Sequence, residues 1–276
     1  MIPSVGDAVR LRLKFLGVRG SYSTPVANRL GYGGHTTCLE VSSGSGDRLY
    51  VDAGSGITDA TLPARDDAHH HVLITHFHSD HIQGLPFFQP MFRSGSRVTF
   101  YTGEDPQTAR RLLETPMTCP YSPALEYMAA RREHARIDTA SSFTCGGISV
   151  HPFRLNNPQG AWGYRLESEG ASIVHASDHE HGDPERDAVL REYAQNADVL
   201  IYDAQYTDRE YAAKKGWGHS TWREATRLAR DAQVGRLILF HHDPAHDDDT
   251  MRAIESEARQ HFEATDAARQ SSLLTL

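Results

Sequence analysis

Three histidines and an aspartate fall within six positions of the run Thr75-His76-Phe77-His78-Ser79-Asp80-His81. The run follows Val72-Leu73-Ile74, which reads as a buried strand. Alternate residues of a strand face one way, so His76 and His78 project together, and Asp80 and His81 lie on the turn beyond. Imidazole and carboxylate ligands at one strand end suit zinc, manganese or iron better than calcium or magnesium. The spacing fits two neighbouring ions, one served by His76 and His78, the other by Asp80 and His81. A solvated turn rich in histidine is the competing reading. Four ligand-type residues in six positions weigh against it.

The elements that must position this turn are legible as short β-branched or aromatic runs ending in Gly, Pro, Asp or His. They are Leu11–Leu16, Thr37–Val41, Leu49–Val51, Val72–Thr75, Val98–Tyr101, Ile148–Val150, Tyr164–Leu166, Ile173–His175, Val199–Tyr202 and Leu237–Phe240. Helical periodicity predicts helices over Pro106–Glu114, Pro184–Asn196, Thr221–Ala232 and Asp249–Ala264. Strands dominate the first half and alternate with helices in the second, so the class is mixed α/β. The reading is one domain over 1–276, with a short insertion near 104–136 and a surface tail from His261 onward. His69-His70-His71, after acidic Asp66-Asp67, reads as a solvated turn.

Composition limits the partners. The chain of 276 residues has 17 histidines and a net charge of −8, from 28 Lys and Arg against 36 Asp and Glu. Charged residues make 23 % and hydrophobic ones 39 %, which excludes a disordered chain. Phosphate contacts need net positive surface, so a long polyanion is a poor match. Cys38, Cys119 and Cys145 form no CxxC pair, against a zinc ribbon or a secreted disulfide framework. No apolar run approaches the ~20 residues that cross a bilayer, and residues 1–20 lack the apolar core of a signal peptide. The expectation is a cytoplasmic protein with no membrane partner; a homodimer stays open.

The His-x-His-x-Asp-His pattern after a buried strand resembles the hallmark of the metallo-β-lactamase superfamily. Gly17-Val-Arg-Gly-Ser21, Tyr32-Gly-Gly34, Val51-Asp-Ala-Gly54, Gly163-Tyr-Arg165, Ala176-Ser-Asp178, Gly218-His-Ser-Thr221 and Leu239-Phe-His241 are similar to the ribonuclease Z and cyclic phosphodiesterase branch. The match runs from about Phe15 to Pro244. It implies an αββα sandwich with a two-metal site at one end of the sheets.

The resemblance also places the remaining ligands. Asp178 matches the aspartate that bridges both metals, and His241 the last histidine of the second metal. His242 is the alternative, pointing to the opposite side of a strand. One position departs from the family: a histidine expected shortly before Gly163 is here Asn157, a weaker, neutral ligand. The first site, His76, His78 and Asp178 with Asn157, is then the weaker one, unless His151 or His179 supplies the missing imidazole. The implied cofactor is two divalent ions, zinc first, with manganese or iron as alternatives.

His219 matches the branch's proton donor to the leaving oxygen, and Asp203 the acid that holds that histidine, an arrangement suited to a general acid near neutral pH. Asp80 would orient the nucleophile. Asp52 reads as a residue ordering the loops beneath the metals. The implied activity is metal-dependent hydrolysis, a metal-bound hydroxide attacking a small, cyclic-nucleotide-like phosphodiester. Ribonuclease Z enzymes carry an arm that grips tRNA. The candidate here, 104–136, mixes Arg110, Arg111, Arg131, Arg132 and Arg136 with Glu104, Asp105, Glu114, Glu126 and Glu133. Nucleic acid is therefore not the expected partner. The alternatives are tRNA 3′ processing and a weakly catalytic metal- or ligand-binding protein.

Overall fold

A computed structural model describes residues 10–44, 47–63, 67–122 and 124–276. In chain order the strands are β1 (Arg12–Gly17), β2 (Cys38–Ser42), β3 (Arg48–Val51), β4 (His69–Leu73), β5 (Arg97–Thr102), β6 (Arg131–Arg136) and β7 (Phe143–Cys145). Then follow β8 (Ile148–Leu155), β9 (Ala161–Ser168), β10 (Ala171–Ala176), β11 (Val199–Asp203), β12 (Arg236–Phe240), β13 (Thr265–Ala267) and β14 (Leu273–Thr275). The helices are α1 (Ser79–Ile82), α2 (Pro106–Glu114), α3 (Ala124–Tyr127), α4 (Pro184–Ala194), α5 (Asp208–Tyr211), α6 (Trp222–Asp231) and α7 (Asp248–His261). One sheet has the order β14-β1-β2-β3-β4-β5-β6, the other β13-β12-β11-β10-β9-β8-β7. No helix among the described residues is long and apolar enough to cross a membrane.

Period-two alternation explains the layers. Val199 and Ile201 of β11, with Ile238 and Phe240 of β12, join the core between the sheets, where Leu13, Phe15, Leu39, Val51 and Leu73 meet them. Their neighbours Leu200, Tyr202, Leu237 and Leu239 face outward, onto Leu190 of α4, Ala225 of α6 and Ile254 of α7. Strands buried on both faces read as unbroken apolar runs, which is why these were found in the sequence. On the outer face of the first sheet, Tyr50, Val72 and Phe100 pack against Leu85, Phe88, Met91 and Leu113. Four layers result. The long helices start where the sequence offers a cap: Asp105, Asp183, Thr221 and Asp247 each accept first-turn backbone N–H groups.

Two expectations are corrected. His69-His70-His71 is not a solvated turn but the start of β4, with His70 and His71 buried. The His70 ring stacks on Tyr50 and meets Phe88 edge-on, and the His71 Nδ1 pairs with the Tyr101 hydroxyl at 3.0 Å. A neutral imidazole here serves as a flat, half-apolar ring. The tail is also built in: β13 adds to β12 in parallel and β14 to β1 antiparallel, one edge strand for each sheet. The 104–136 segment lies at the far edge of the first sheet and ends in β6, paired with β5 along its length.

These buried rings predict a pH response. Burial pushes His70, His71 and His175 from 6.5 to about 4. Because the folded values lie below the unfolded one, the unfolded chain binds more protons between pH 6.5 and 4, and stability falls as pH falls through that window. Urea midpoints should therefore drop between pH 7.5 and pH 5. The slope should flatten in a His70→Phe variant; an equal slope in that variant contradicts the assignment.

Candidate metal centre

Sheet register gathers the site. In β10, β11 and β12, all parallel, Ala176 lies opposite Tyr202 and Asp203 opposite Phe240, so Asp178, Asp203 and His241 emerge on one rim. In the first sheet β3 and β4 run parallel, bringing Asp52 and Thr75–His81 to the same place. Asp52, Asp178 and His241 all leave their strands with positive φ, at 62°, 59° and 60°. Left-handed backbone at a residue other than glycine costs about 1–3 kcal/mol and survives only where surrounding bonds fix it. Such bonds are present: the Asp52 carboxylate accepts from Thr75 N–H at 2.8 Å, and Asp178 N–H donates to Asp203 Oδ2 at 3.0 Å.

The imidazoles are aimed from behind. His81 Nδ1–H donates to Asp52 Oδ2 at 2.7 Å. Thr75 Oγ1 lies 3.0 Å from both Asp52 and His76 Nδ1, relaying the same carboxylate to His76. His241 Nδ1–H donates to Gln205 Oε1 at 2.8 Å. Each contact puts the proton on Nδ1 and leaves the Nε2 lone pair facing the cleft, the arrangement that orients metal-ligating histidines. Among the described residues no partner completes a well-aligned hydrogen bond to the buried His81 Nε2 and His241 Nε2. They lie 3.2 and 3.3 Å from Asp178 Oδ2, and both 3.4 Å from Asp80 Oδ2. His76 Nε2 stands 3.7 Å from Asp178 Oδ1 and 2.9 Å from His78 Nδ1.

Electrostatics calls for a cation. Burial would raise the Asp178 and Asp80 carboxyls, but the surrounding imidazoles hold both far below the ordinary carboxylate range. Burial would likewise lower His241, yet Asp178 and Asp80 lift it to about 9, and His81 is lifted by Asp178, Asp52 and Asp80. Buried carboxylates that stay ionised demand positive charge, from protons or from a metal. His76, pushed down to about 3 by burial and the neighbouring His81, remains a neutral imidazole, the form that can bind a metal. The His76/His78/Asp178 and Asp80/His81/His241 groups each bring their ligand atoms within 4.8 Å of one another. The donor set fits divalent metal ions.

His242 turns away, its Nε2 bonding Ala268 O at 2.9 Å. Asn157 is beside the site but not aimed into it: its Oδ1 accepts Gln159 N–H at 3.1 Å and its Nδ2 donates to Asp178 O at 3.4 Å. The carbonyl is thus held by its own turn. Neither alternative stands in. His151 sits on β8 beside Glu167, and His179 pairs with Asp187 at 2.9 Å. Asp203 and His219 meet: His219 Nδ1–H donates to Asp203 Oδ2 at 2.9 Å, and its ring stacks on His241 at 4.9 Å. Asp203 also accepts N–H groups from Asp178, Gln205 and Ser220, so it is locked in place.

The Gly17–Ser21 segment is part of the same construction. A Cβ on Gly20 would lie 2.4 Å from the His241 ring, so only glycine lets the chain pass there. Ser21 N–H donates to Asp80 Oδ2 at 2.7 Å. Sequence reasoning missed Gln205 and Gln159, whose side chain hydrogen-bonds His78. Gln205 had a signal, two positions after Asp203 at the same strand end.

Residues 47–242 match the family model described as a beta-lactamase superfamily domain. The chain belongs to the metallo-β-lactamase superfamily. Ribonuclease Z of Thermoplasma acidophilum is 27 % identical to this superfamily member, covering 94 % of each chain. Among solved structures, the metallo-β-lactamase fold protein YhfI of Bacillus subtilis aligns with TM-score 0.72 and 19 % identity, over 97 % of this chain and 100 % of its own. A diphosphatase of the PhnP family aligns with TM-score 0.69 and 17 % identity, over 97 % of both chains. The αββα sandwich expected from sequence is thus the fold, and the chain is a hydrolase of that superfamily.

Proposed function

We propose that the protein is a metal-dependent phosphodiesterase acting on a small, cyclic-nucleotide-like phosphodiester. The observation that carries this reading is the His219–Asp203 pair, whose Nδ1 lies 3.7 Å from Asp178 Oδ1 at the edge of the ligand cluster. His76, His78 and Asp178 would hold one divalent ion, and Asp80, His81, Asp178 and His241 the other. Bound there, zinc, manganese or iron supplies Lewis acidity at a phosphoryl oxygen and lowers the pKa of water toward neutrality. Asp52 fixes the tautomers of His76 and His81, and Gln205 that of His241. With Nδ1–H held by Asp203, the imidazolium form of His219 would carry a second proton on Nε2 and give it to the departing alkoxide, leaving the neutral imidazole. Asp80, held by Ser21 N–H, orients the attacking water. A thioester, whose thiolate departs without protonation, needs such a donor less than a phosphodiester with a sugar leaving group does.

Charge supports the small substrate. In the 104–136 segment, Arg110 and Arg132 bond Glu114 and Arg131 bonds Glu133, so these guanidinium groups are already matched. Processing of tRNA 3′ ends is the second reading, favoured by the full-length likeness to ribonuclease Z. The test is turnover of a 2′,3′-cyclic nucleotide and of precursor tRNA by the same metal-loaded preparation. Greater kcat/KM on the cyclic nucleotide supports the proposal; site-specific cutting of the tRNA at greater kcat/KM replaces it. No turnover of either, nor of bis(p-nitrophenyl) phosphate, leaves a binding protein.

The ligand count makes a further prediction. With three ligands against four, the His76/His78/Asp178 site should be the weaker, and calorimetric titration should resolve two unequal affinities. Asn157→Ala should leave both unchanged, since its carbonyl faces Gln159. A selective loss of the weaker site in that variant would restore Asn157 as a ligand.

A further inference from the structure

Glu180 lies two residues beyond Asp178 and is buried, 7 % exposed. Among the described residues no lysine or arginine pairs with it; instead its carboxylate gathers donors from the end of α5 and the loop that follows. Oε2 accepts Gly218 N–H at 2.8 Å, and Oε1 accepts Gly216 N–H at 2.7 Å and the Tyr211 hydroxyl at 3.0 Å. Its backbone ties the opposite wall: Glu180 N–H donates to Asn156 O at 2.8 Å, and Asn156 Nδ2 donates to Glu180 O at 2.7 Å. The two walls touch at Gly218, where a Cβ would lie 2.6 Å from Asn157 Nδ2 and where φ is +89°. Gly218 directly precedes His219.

From this geometry we infer that Glu180 is a positioning residue: it clamps the Gly216–Gly218 loop to the Asp178 strand end and so sets the place of the His219 imidazole over the cleft. The inference rests on the reading of His219 as proton donor. A carboxylate accepting several N–H groups forms strong, charge-assisted bonds, well suited to fixing a glycine-rich loop that has no side chains to pack. His181 adds a second anchor, its Nδ1 bonding Ser220 Oγ at 2.8 Å while its ring packs on Tyr211 at 4.4 Å. Asp203 fixes the imidazole's orientation; Glu180 fixes the backbone from which the imidazole hangs. Misplacement of a catalytic group by about 1 Å costs about 10²-fold in rate.

The test compares Glu180→Ala, Glu180→Gln and His219→Ala, each loaded with zinc, on two substrates. A 2′,3′-cyclic nucleotide has a poor alkoxide leaving group, and bis(p-nitrophenyl) phosphate has a good one. Glu180→Ala should lower kcat on the cyclic nucleotide by about 10²-fold and on the aryl ester by less than about threefold, with KM and metal content unchanged. In the His219→Ala background it should cost almost nothing more, because both changes remove the same proton transfer. Glu180→Gln keeps one acceptor oxygen and should show the same pattern more weakly; it carries the test if the alanine variant does not fold. Equal losses on both substrates, lost metal, or additive losses in the double variant overturn the clamp. If His219→Ala itself shows no leaving-group dependence, the proton-donor reading fails first, and the clamp with it. If only His219→Ala shows it, the clamp alone fails.

Discussion

Replacing His81 by alanine should abolish hydrolysis and leave the purified protein with at most one tightly held ion. His81 is fully buried, and its Nε2 faces both Asp80 and Asp178. Its removal takes away an imidazole ligand and also the partner of Asp52, which is itself fully buried. Breaking a buried pair by deleting one member costs about 3–5 kcal/mol, so the apo variant should also melt earlier. His78→Ala removes a ligand on the more exposed side, where the cost falls on metal affinity and activity rather than on stability. His151→Ala, on β8 beside Glu167, is the matched control and should behave as the unmodified protein. Elemental analysis reads the outcome. Full metal content in both the His81 and His78 variants would show that the ligand set is wrong.

The second large effect belongs to His219. His219→Ala should lower kcat on a cyclic nucleotide by roughly 10²–10⁴, the usual contribution of a positioned general acid. On bis(p-nitrophenyl) phosphate the loss should shrink to a few-fold, since p-nitrophenolate departs without protonation. Metal content should hold, because the Nδ1 of His219 is engaged by Asp203 and neither the His76/His78/Asp178 nor the Asp80/His81/His241 group includes it. Asp203→Asn should show the same dependence on leaving group with a smaller loss, by freeing the imidazole to turn. Loss of the same size on good and poor leaving groups removes His219 from this role.

How much of this was legible in the sequence depended on whether a feature is local. His76, His78, Asp80 and His81 are contiguous, so a strand and its turn were enough to group them. Asp178, Asp203 and His241 come together only through the register of β10, β11 and β12, which leaves no local mark; the family resemblance supplied them. The choice of His241 over His242 turns on a left-handed residue at the end of β12, invisible to a pattern of alternation. Asn157 looked like a substituted ligand because its position in the chain is right. Its side chain is held by Gln159 N–H, a bond that sequence spacing does not encode. Edge strands escaped for a different reason. β6, Arg131–Arg136, faces water along much of its length and carries charge instead of an apolar run, and β13 and β14 are three residues each. The histidines of β4 were misjudged because polarity by composition hides the packing of neutral rings on Tyr50, Phe88 and Tyr101.

An anomalous-difference map of crystals grown with zinc shows whether this chain's own residues build a two-metal centre. Two peaks are expected, one contacted by His76, His78 and Asp178 and the other by Asp80, His81, Asp178 and His241, with Asn157 touching neither. A single peak, or a second ion held by His151, His179 or Asn157, would contradict it.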